Sequence, residues 1–233
     1  MRATSAAVCV AGSFAAAQIV PAGSWLPSLR RRLAPALNGQ MPAGTVALTF
    51  DDGPHPDGTP AILDALDEQG WTATFFVLGA EVVKRPHLVA EITARGHTVG
   101  VHGYEHRYLL ARDPRSAYSD LRRAHQVTAD ALGRAPLWWR PPYGVLTGPA
   151  LVAARAVGVR PRLWSAWGKD WRASASPRSI VTTIATGQVD GGVVLLHDSD
   201  LMSATGSWRN TAAALPLLAD HPSMRGLTVA GLR

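Results

Sequence analysis

From about residue 45 to the end of the chain, apolar runs of strand length alternate with stretches of helical period. Val46-Ala47-Leu48-Thr49-Phe50 is a strand-type run, ended by the turn signal Asp51-Asp52-Gly53-Pro54. Thr59 and Pro60 predict the N-cap and first position of a helix running to about Gly70. Ala73 to Leu78 reads as a second strand, Pro86 to Arg95 as a helix closed by Gly96, and Thr98 to His102 as a third strand. Asp113-Pro114 opens a long helix to about Leu132, with Gly133 as its stop, and Leu137 to Arg140 is a fourth strand halted by Pro141-Pro142. A helix over Thr147 to Val157, a fifth strand over Val159 to Ser165 and a helix from Ser176-Pro177 to Gly187 follow. Gly192 to His197 is the most apolar strand, Ser207 to about Asp220 the last helix, and Leu227 to Val229 a seventh strand. Strands alternating with helices predict a parallel sheet built from right-handed βαβ units. Six or seven such units in one domain suit a small, distorted barrel with its site at the carboxyl ends of the strands.

Residues 1–44 read differently and form an N-terminal extension to the domain at 45–233. No charge falls between Arg2 and Arg30, Ala6 to Val20 is mildly apolar, and Ala15-Ala16-Ala17 supplies an A-x-A-like site. Two readings stay open. One is a secretory leader, which places the protein outside the cell or in the envelope. The other is an uncleaved extension packed on the domain, which leaves it in the cytoplasm. The stretch is too short to span a bilayer comfortably. Trp25 to Leu37 reads as a short amphipathic helix broken by prolines, and Gly39 to Gly44 as a connector.

Composition narrows the classes. In 233 residues, 47% are hydrophobic and 17% charged, enough apolar surface for a full core and too much for disorder. The single cysteine, Cys9, excludes an internal disulfide framework and a multi-cysteine metal site. Lys+Arg 23 against Asp+Glu 17 gives a net charge of +6, spread thinly. Its densest run, Arg30-Arg31-Arg32, is a short patch, and no basic helix or stacked-aromatic motif points to nucleic acid.

The polar chemistry gathers at strand ends. His102 and His106 are four apart, so one helical turn or tight loop aims both imidazoles the same way; with a carboxylate they suit an open, catalytic divalent-metal site. Asp51 and Asp52 follow a buried strand, and in extended backbone their side chains point to opposite sides. One then binds a cation and its neighbour takes a proton. Arg140, in a loop stiffened by two prolines, is placed to clamp a carboxylate. His197 ends the most hydrophobic strand and is a candidate general acid. Of eight tryptophans, Trp138, Trp139, Trp164, Trp167 and Trp171 fall between 138 and 171; they serve either as core or as a wall for sugar rings.

In order, Thr49-Phe50-Asp51-Asp52-Gly53-Pro54, His102-x3-His106, Arg140-Pro141-Pro142-Tyr143, Asp170-Trp171 and Leu195-Leu196-His197-Asp198 resemble the five motifs of the NodB-type polysaccharide deacetylases, carbohydrate esterase family 4. The resemblance covers about residues 45–230. It implies a distorted (β/α)7-type barrel, a divalent metal (usually Zn2+, sometimes Co2+ or Ni2+), and removal of acetyl groups from N-acetylated sugars. By position it implies Asp52, His102 and His106 as metal ligands, Asp51 as general base oriented by Arg140, and His197 as general acid oriented by Asp170. It also implies the Tyr143 backbone N–H as oxyanion donor. Tyr143, Trp164, Trp167, Trp171 and Trp208 are expected to contact the carbohydrate, and Asp198, Asp200 and Ser207 to lie nearby. The chain departs from the family at Gly103, where Ser or Thr is usual, and at Trp167, where an Asp is usual; both bear on groove shape. Two alternatives remain: the same chemistry on a small glycoside, and a non-catalytic carbohydrate-binding barrel. The protein is expected to act as a monomer.

Overall fold

The computed structural model describes residues 20–26, 29, 30, 32, 34–38 and 40–232. The apolar stretch read as a leader, and Cys9 with it, lies outside these residues apart from Val20. The strands are β1 (Thr45–Asp51), β2 (Thr74–Leu78), β3 (Thr98–Gly103), β4 (Trp138–Trp139), β5 (Arg160–Pro161), β6 (Ala166–Trp167), β7 (Gly192–His197) and β8 (Thr228–Ala230). The helices are α1 (Gly58–Glu68), α2 (Gly79–Lys84), α3 (Pro86–Ala94), α4 (Pro114–Leu132), α5 (Gly148–Val157), α6 (Pro177–Ala185) and α7 (Ser207–Ala219). All strand pairs are parallel. The order is β5-β4-β3-β2-β1-β7-β6, with β8 beside β1, a curled half-barrel.

The expected fifth strand is split. Arg160–Pro161 pairs with β4 at one edge of the sheet, and Ala166–Trp167 pairs with β7 at the other. Residues 162–165 therefore cross the gap that would otherwise close the barrel. The Arg162 N–H makes a last bond to the Trp139 carbonyl at 2.8 Å, and the carbonyls of Arg162 and Leu163 then accept from the Arg140 guanidinium. This split is the distortion of the (β/α)7-type barrel.

Alternation along β1 and β7 assigns the faces. Val46, Leu48 and Phe50, with Val194 and Leu196, enter an apolar layer that also takes Ile62, Leu66, Ile184 and Leu215 from the helices. Ala47, Val193 and Leu195 point to the other side, into a second cluster with Phe76, Trp139 and Leu163. By the same period Thr49, Asp51 and His197 fall on that second, interior side. Register finishes the placement, since Asp51 and His197 are direct partners across the β1–β7 pair.

Most helix punctuation follows the sequence. The Asp113 side chain accepts from the N–H groups of Arg115 and Ser116, and Ser176 and Ser179 form a capping box. Gly133 and Gly158 end their helices in the left-handed conformation. Thr59 is a correction. Helix α1 starts two residues earlier, at Gly58 with Asp57 as N-cap, and the Thr59 hydroxyl accepts from the His55 N–H and donates to Asp198 at 2.5 Å instead of capping. The expected helix over Trp25 to Leu37 is instead a pair of 3-10 turns, Val20–Trp25 and Pro35–Asn38, around helical backbone at residues 29, 30 and 32. Arg30, read as part of a charged patch, is buried. Its guanidinium donates to the carbonyls of Ser24 (2.8 Å) and Trp164 (2.6 Å) and to the Asn38 side chain.

Candidate active site

Segments at the carboxyl ends of the strands, with Ala22 of the N-terminal segment, surround a cleft of ≈ 670 Å³. At its base, two carboxylates leave β1 side by side. The expected opposite orientation of Asp51 and Asp52 does not occur, because Asp52 leaves the extended region with φ 75. The left-handed turn brings both carboxylates to one imidazole: Asp52 Oδ1 lies 3.3 Å and Asp51 Oδ2 3.8 Å from His102 Nε2.

His102 is the penultimate residue of β3, and His106 sits in the loop beyond it. Their rings are 5.1 Å apart, and His106 Nε2 is 3.4 Å from the same Asp52 oxygen. The His102 Nδ1–H donates to the Arg140 carbonyl at 2.9 Å, which leaves the Nε2 lone pair facing the cluster. One donor atom from each of Asp52, His102 and His106 lies within 4.8 Å of the others. Asp52 Oδ1 and His106 Nδ1 are buried without a hydrogen-bond partner. Buried polar atoms are seldom left so, and two imidazoles with one carboxylate are a donor set that divalent transition metals take. The residues therefore fit a divalent cation. Burial and the neighbouring His102 push the His106 pKa down to about 4, so this ring is neutral at neutral pH, as a ligand must be. Burial opposes ionisation of Asp52, but the adjacent His102 and the other histidines outweigh it and bring the carboxyl to about 2.

Gly103, where the family usually carries Ser or Thr, adopts φ 116, and the loop is braced next door: the Tyr104 N–H donates to Asp120 on α4 at 3.0 Å. Arg112 holds the other Asp120 oxygen at 2.7 Å.

Asp51 is clamped by Arg140. The Nη1 of this fully buried guanidinium is 2.7 Å from Asp51 Oδ1 and donates at 2.8 Å to Thr49 Oγ1. Nε and Nη2 reach the Arg162 and Leu163 carbonyls at 3.1 and 3.3 Å, and the plane lies 4.2 Å from the Phe76 ring centre.

On β7, next to Asp51 in the β1–β7 register, His197 Nδ1 is 2.9 Å from Asp170 Oδ1. The second Asp170 oxygen accepts from the His197 backbone N–H at 2.7 Å and from Thr211 on α7 at 2.9 Å. Burial alone would lower the His197 pKa, but the Asp170 charge and hydrogen bond outweigh it and raise the imidazolium to about 9.

Tyr143 sits at φ 59 in the turn after Pro142, half exposed, with its ring edge-on to His106 at 4.4 Å. Trp164, Trp167 and Trp171 form a continuous wall, with centroid spacings of 6.0 and 5.5 Å, and Trp171 ends edge-on to His197. All four line the cleft. Trp208 is a correction: it does not line the cleft and lies beside His55 instead, at 6.1 Å. The reason is steric. Gly58 at the start of α1 leaves room for the indole there. Asp198, Asp200 and Ser207 are also absent from the lining; Asp198 is buried under Thr59, and Asp200 pairs with His55. Sequence reasoning missed Thr49, Asp120 and Thr211, which brace the site from β1, α4 and α7. It also missed Lys169 and Arg172, which line the cleft rim. The last two stand in the run that holds Asp170 and Trp171, so their place was available from adjacency.

Fold and site define a class: a parallel α/β half-barrel whose strand ends set a two-histidine, one-aspartate cluster beside two buried ion pairs. The chain belongs to the polysaccharide deacetylase family, whose profile matches residues 38–161. The family uses a divalent metal, and Asp52, His102 and His106 are placed to hold one. The chain is 36% identical over 154 residues to the peptidoglycan-N-acetylglucosamine deacetylase PgdA of Listeria monocytogenes, covering 66% of this chain and 32% of that one. It thus spans about a third of that relative's length. It is 34% identical over 196 residues to a chitooligosaccharide deacetylase of Sinorhizobium fredii, 82% of this chain and 91% of the relative. A solved family 4 carbohydrate esterase from Streptomyces lividans, in complex with acetate, superposes with a TM-score of 0.71 at 32% identity, covering 80% and 91% of the two chains. Among the described residues no helix is long and apolar enough to cross a membrane.

Proposed function

We propose that the chain hydrolyses the N-acetyl amide of an N-acetyl-amino sugar in a peptidoglycan- or chitin-type glycan and releases acetate, working as a monomer with Zn2+ in the cage. The observation that carries this reading is the presence of two ion pairs at the strand ends beside the cage, Asp51 held by Arg140 and His197 held by Asp170, with Asp51 and His197 in register on neighbouring strands. The names of the Listeria and Sinorhizobium relatives support the substrate class.

When bound, a divalent cation supplies Lewis acidity that polarises the amide carbonyl and makes water near it more acidic. Asp51 takes the proton from the attacking water, with Arg140 and Thr49 fixing its carboxylate. The Tyr143 N–H faces the oxygen that gains charge as the carbonyl carbon becomes tetrahedral. His197, kept protonated by Asp170, gives its proton to the departing amine, so the sugar leaves as a neutral amine instead of an amide anion. The indoles of Trp164, Trp167 and Trp171 supply flat apolar surface for sugar faces.

Acetate release from chitotetraose tests the reading. Dialysis against a chelator is expected to cut the rate at least about a thousandfold, the loss of several kcal/mol of charge stabilisation, and Zn2+ to restore it. Undiminished release after verified metal removal would overturn the mechanism.

The pH profile follows from His197. Protonated below about 9, it is competent as an acid at neutral pH and loses that role as pH rises through its own value. Asp170→Asn removes the adjacent anion and destabilises the imidazolium. The alkaline limb of kcat/KM is expected to move to lower pH by about one unit or more. An unmoved limb would take His197 out of the acid role.

A further inference from the structure

The rim of the cleft carries charge of one sign. Lys169 and Arg172 both line it, in the turn that follows β6. The Arg172 N–H donates to the Lys169 carbonyl at 3.4 Å, so one tight turn holds the two residues and Trp171 between them. Lys169 sits at φ 51, left-handed backbone that costs a non-glycine residue energy and that recurs at ligand-binding turns. Its ammonium lies 5.1 Å from the centre of the Trp167 ring, which fixes it over an indole of the cleft wall.

The acids of the cleft floor are engaged elsewhere. Asp51 is paired with Arg140, Asp170 with His197, and Asp52 faces the two histidines of the cage. Among the described residues, Lys169 and Arg172 make no ion pair. Neither cation is engaged by an anion of the protein among the described residues, so both are available to an anion from outside.

We infer that Lys169 and Arg172 form a subsite for a carboxylate carried by the substrate next to the sugar that loses its acetyl group. This rests on the deacetylase reading for the identity of the glycan and sharpens it: an acidic glycan, with a carboxylate on the neighbouring sugar or on a peptide attached to it, is preferred over a neutral one of equal length. A neutral chitin-type chain fills the tryptophan wall but leaves both cations in water.

The test compares one scaffold with and without its charge. A peptidoglycan tetrasaccharide with free lactyl carboxylates, its methylamide-capped form and a form bearing acidic stem peptides are titrated onto the zinc-loaded Asp51→Asn protein, so binding is read without turnover. The carboxylate forms are expected to bind roughly fivefold more tightly than the capped form, the scale of two solvent-exposed ion pairs. The advantage should shrink as salt rises from 50 to 500 mM. A preference for the lactyl form places the carboxylate on the sugar, and one for the peptide form places it on the stem; either supports the pair. Lys169→Gln/Arg172→Gln should erase the difference while leaving affinity for the capped form in place. Because Arg172 is exposed, Arg172→Gln alone, expected to lose part of the advantage, guards against misfolding of the double variant. Equal affinity for charged and capped glycans, or a preference that survives the double substitution, would overturn the subsite. Failure of the parent protein to release acetate from any of the three glycans would count against the deacetylase reading, while the binding ratio would still decide the subsite.

Discussion

Asp51→Asn is expected to lower acetate release by about a hundredfold to ten-thousandfold, the range for removing a positioned general base. Asparagine keeps the shape and still accepts from the Arg140 Nη1, now 2.7 Å from Asp51 Oδ1, but it cannot take a proton from water. Zn2+ affinity should change little, because Asp52, His102 and His106 are all retained and Asp51 Oδ2, at 3.8 Å from His102 Nε2, is the more distant carboxylate. Paired assays of acetate release and Zn2+ titration on the same preparation check this. A variant that keeps more than a tenth of the parent rate would remove Asp51 from the base role. One that loses Zn2+ binding together with activity would recast Asp51 as a ligand.

The strand-end chemistry was legible because a parallel sheet fixes it twice over. Alternation tells which residues of Val46–Asp51 and Gly192–His197 face the helices, and the remaining site residues, Asp51 and His197, must face the interior. Clean caps such as Asp113 and Ser176 were legible for a local reason, since each cap closes within three residues of sequence. Other features were not. The split of the fifth strand depends on Arg140 drawing in two carbonyls from 22 and 23 residues further along the chain, which no local pattern encodes. The turn at Asp52 defeats the alternation rule at the residue where the strand ends: φ 75 sends the second carboxylate to the same side as the first. Thr59 and Trp208 misled in the same way. A threonine before proline reads as a cap and a tryptophan after the last motif as a sugar contact, but distant partners, Asp198 and His55, decide where they go.

Arg140→Met is expected to destabilise the protein by about 3–5 kcal/mol, the cost of leaving one member of a buried ion pair without its partner. Burial pushes the Arg140 guanidinium down from its ordinary value, and the Asp51 charge and hydrogen bond pull it part of the way back. In a domain of this size, such a loss lowers Tm by roughly 10 °C. Methionine fills the space over Phe76 but supplies none of the donors now bound to Asp51, Thr49, Arg162 and Leu163. Lysine keeps the charge, yet a single ammonium lacks the planar fork that reaches carbonyls and carboxylate together, so Arg140→Lys should recover only part of the loss. The double variant Asp51→Asn/Arg140→Met separates the roles. It removes both buried charges, so its Tm should rise above that of Arg140→Met alone, while acetate release stays as low as in Asp51→Asn. Thermal melts of the four proteins in one buffer give the coupling directly. Strict additivity would mean that Arg140 serves only the carbonyls of residues 162 and 163. A large favourable coupling would mean that the pair is held together by the charge that positions the base, so that the rigidity of the barrel gap and the orientation of Asp51 depend on the same side chain.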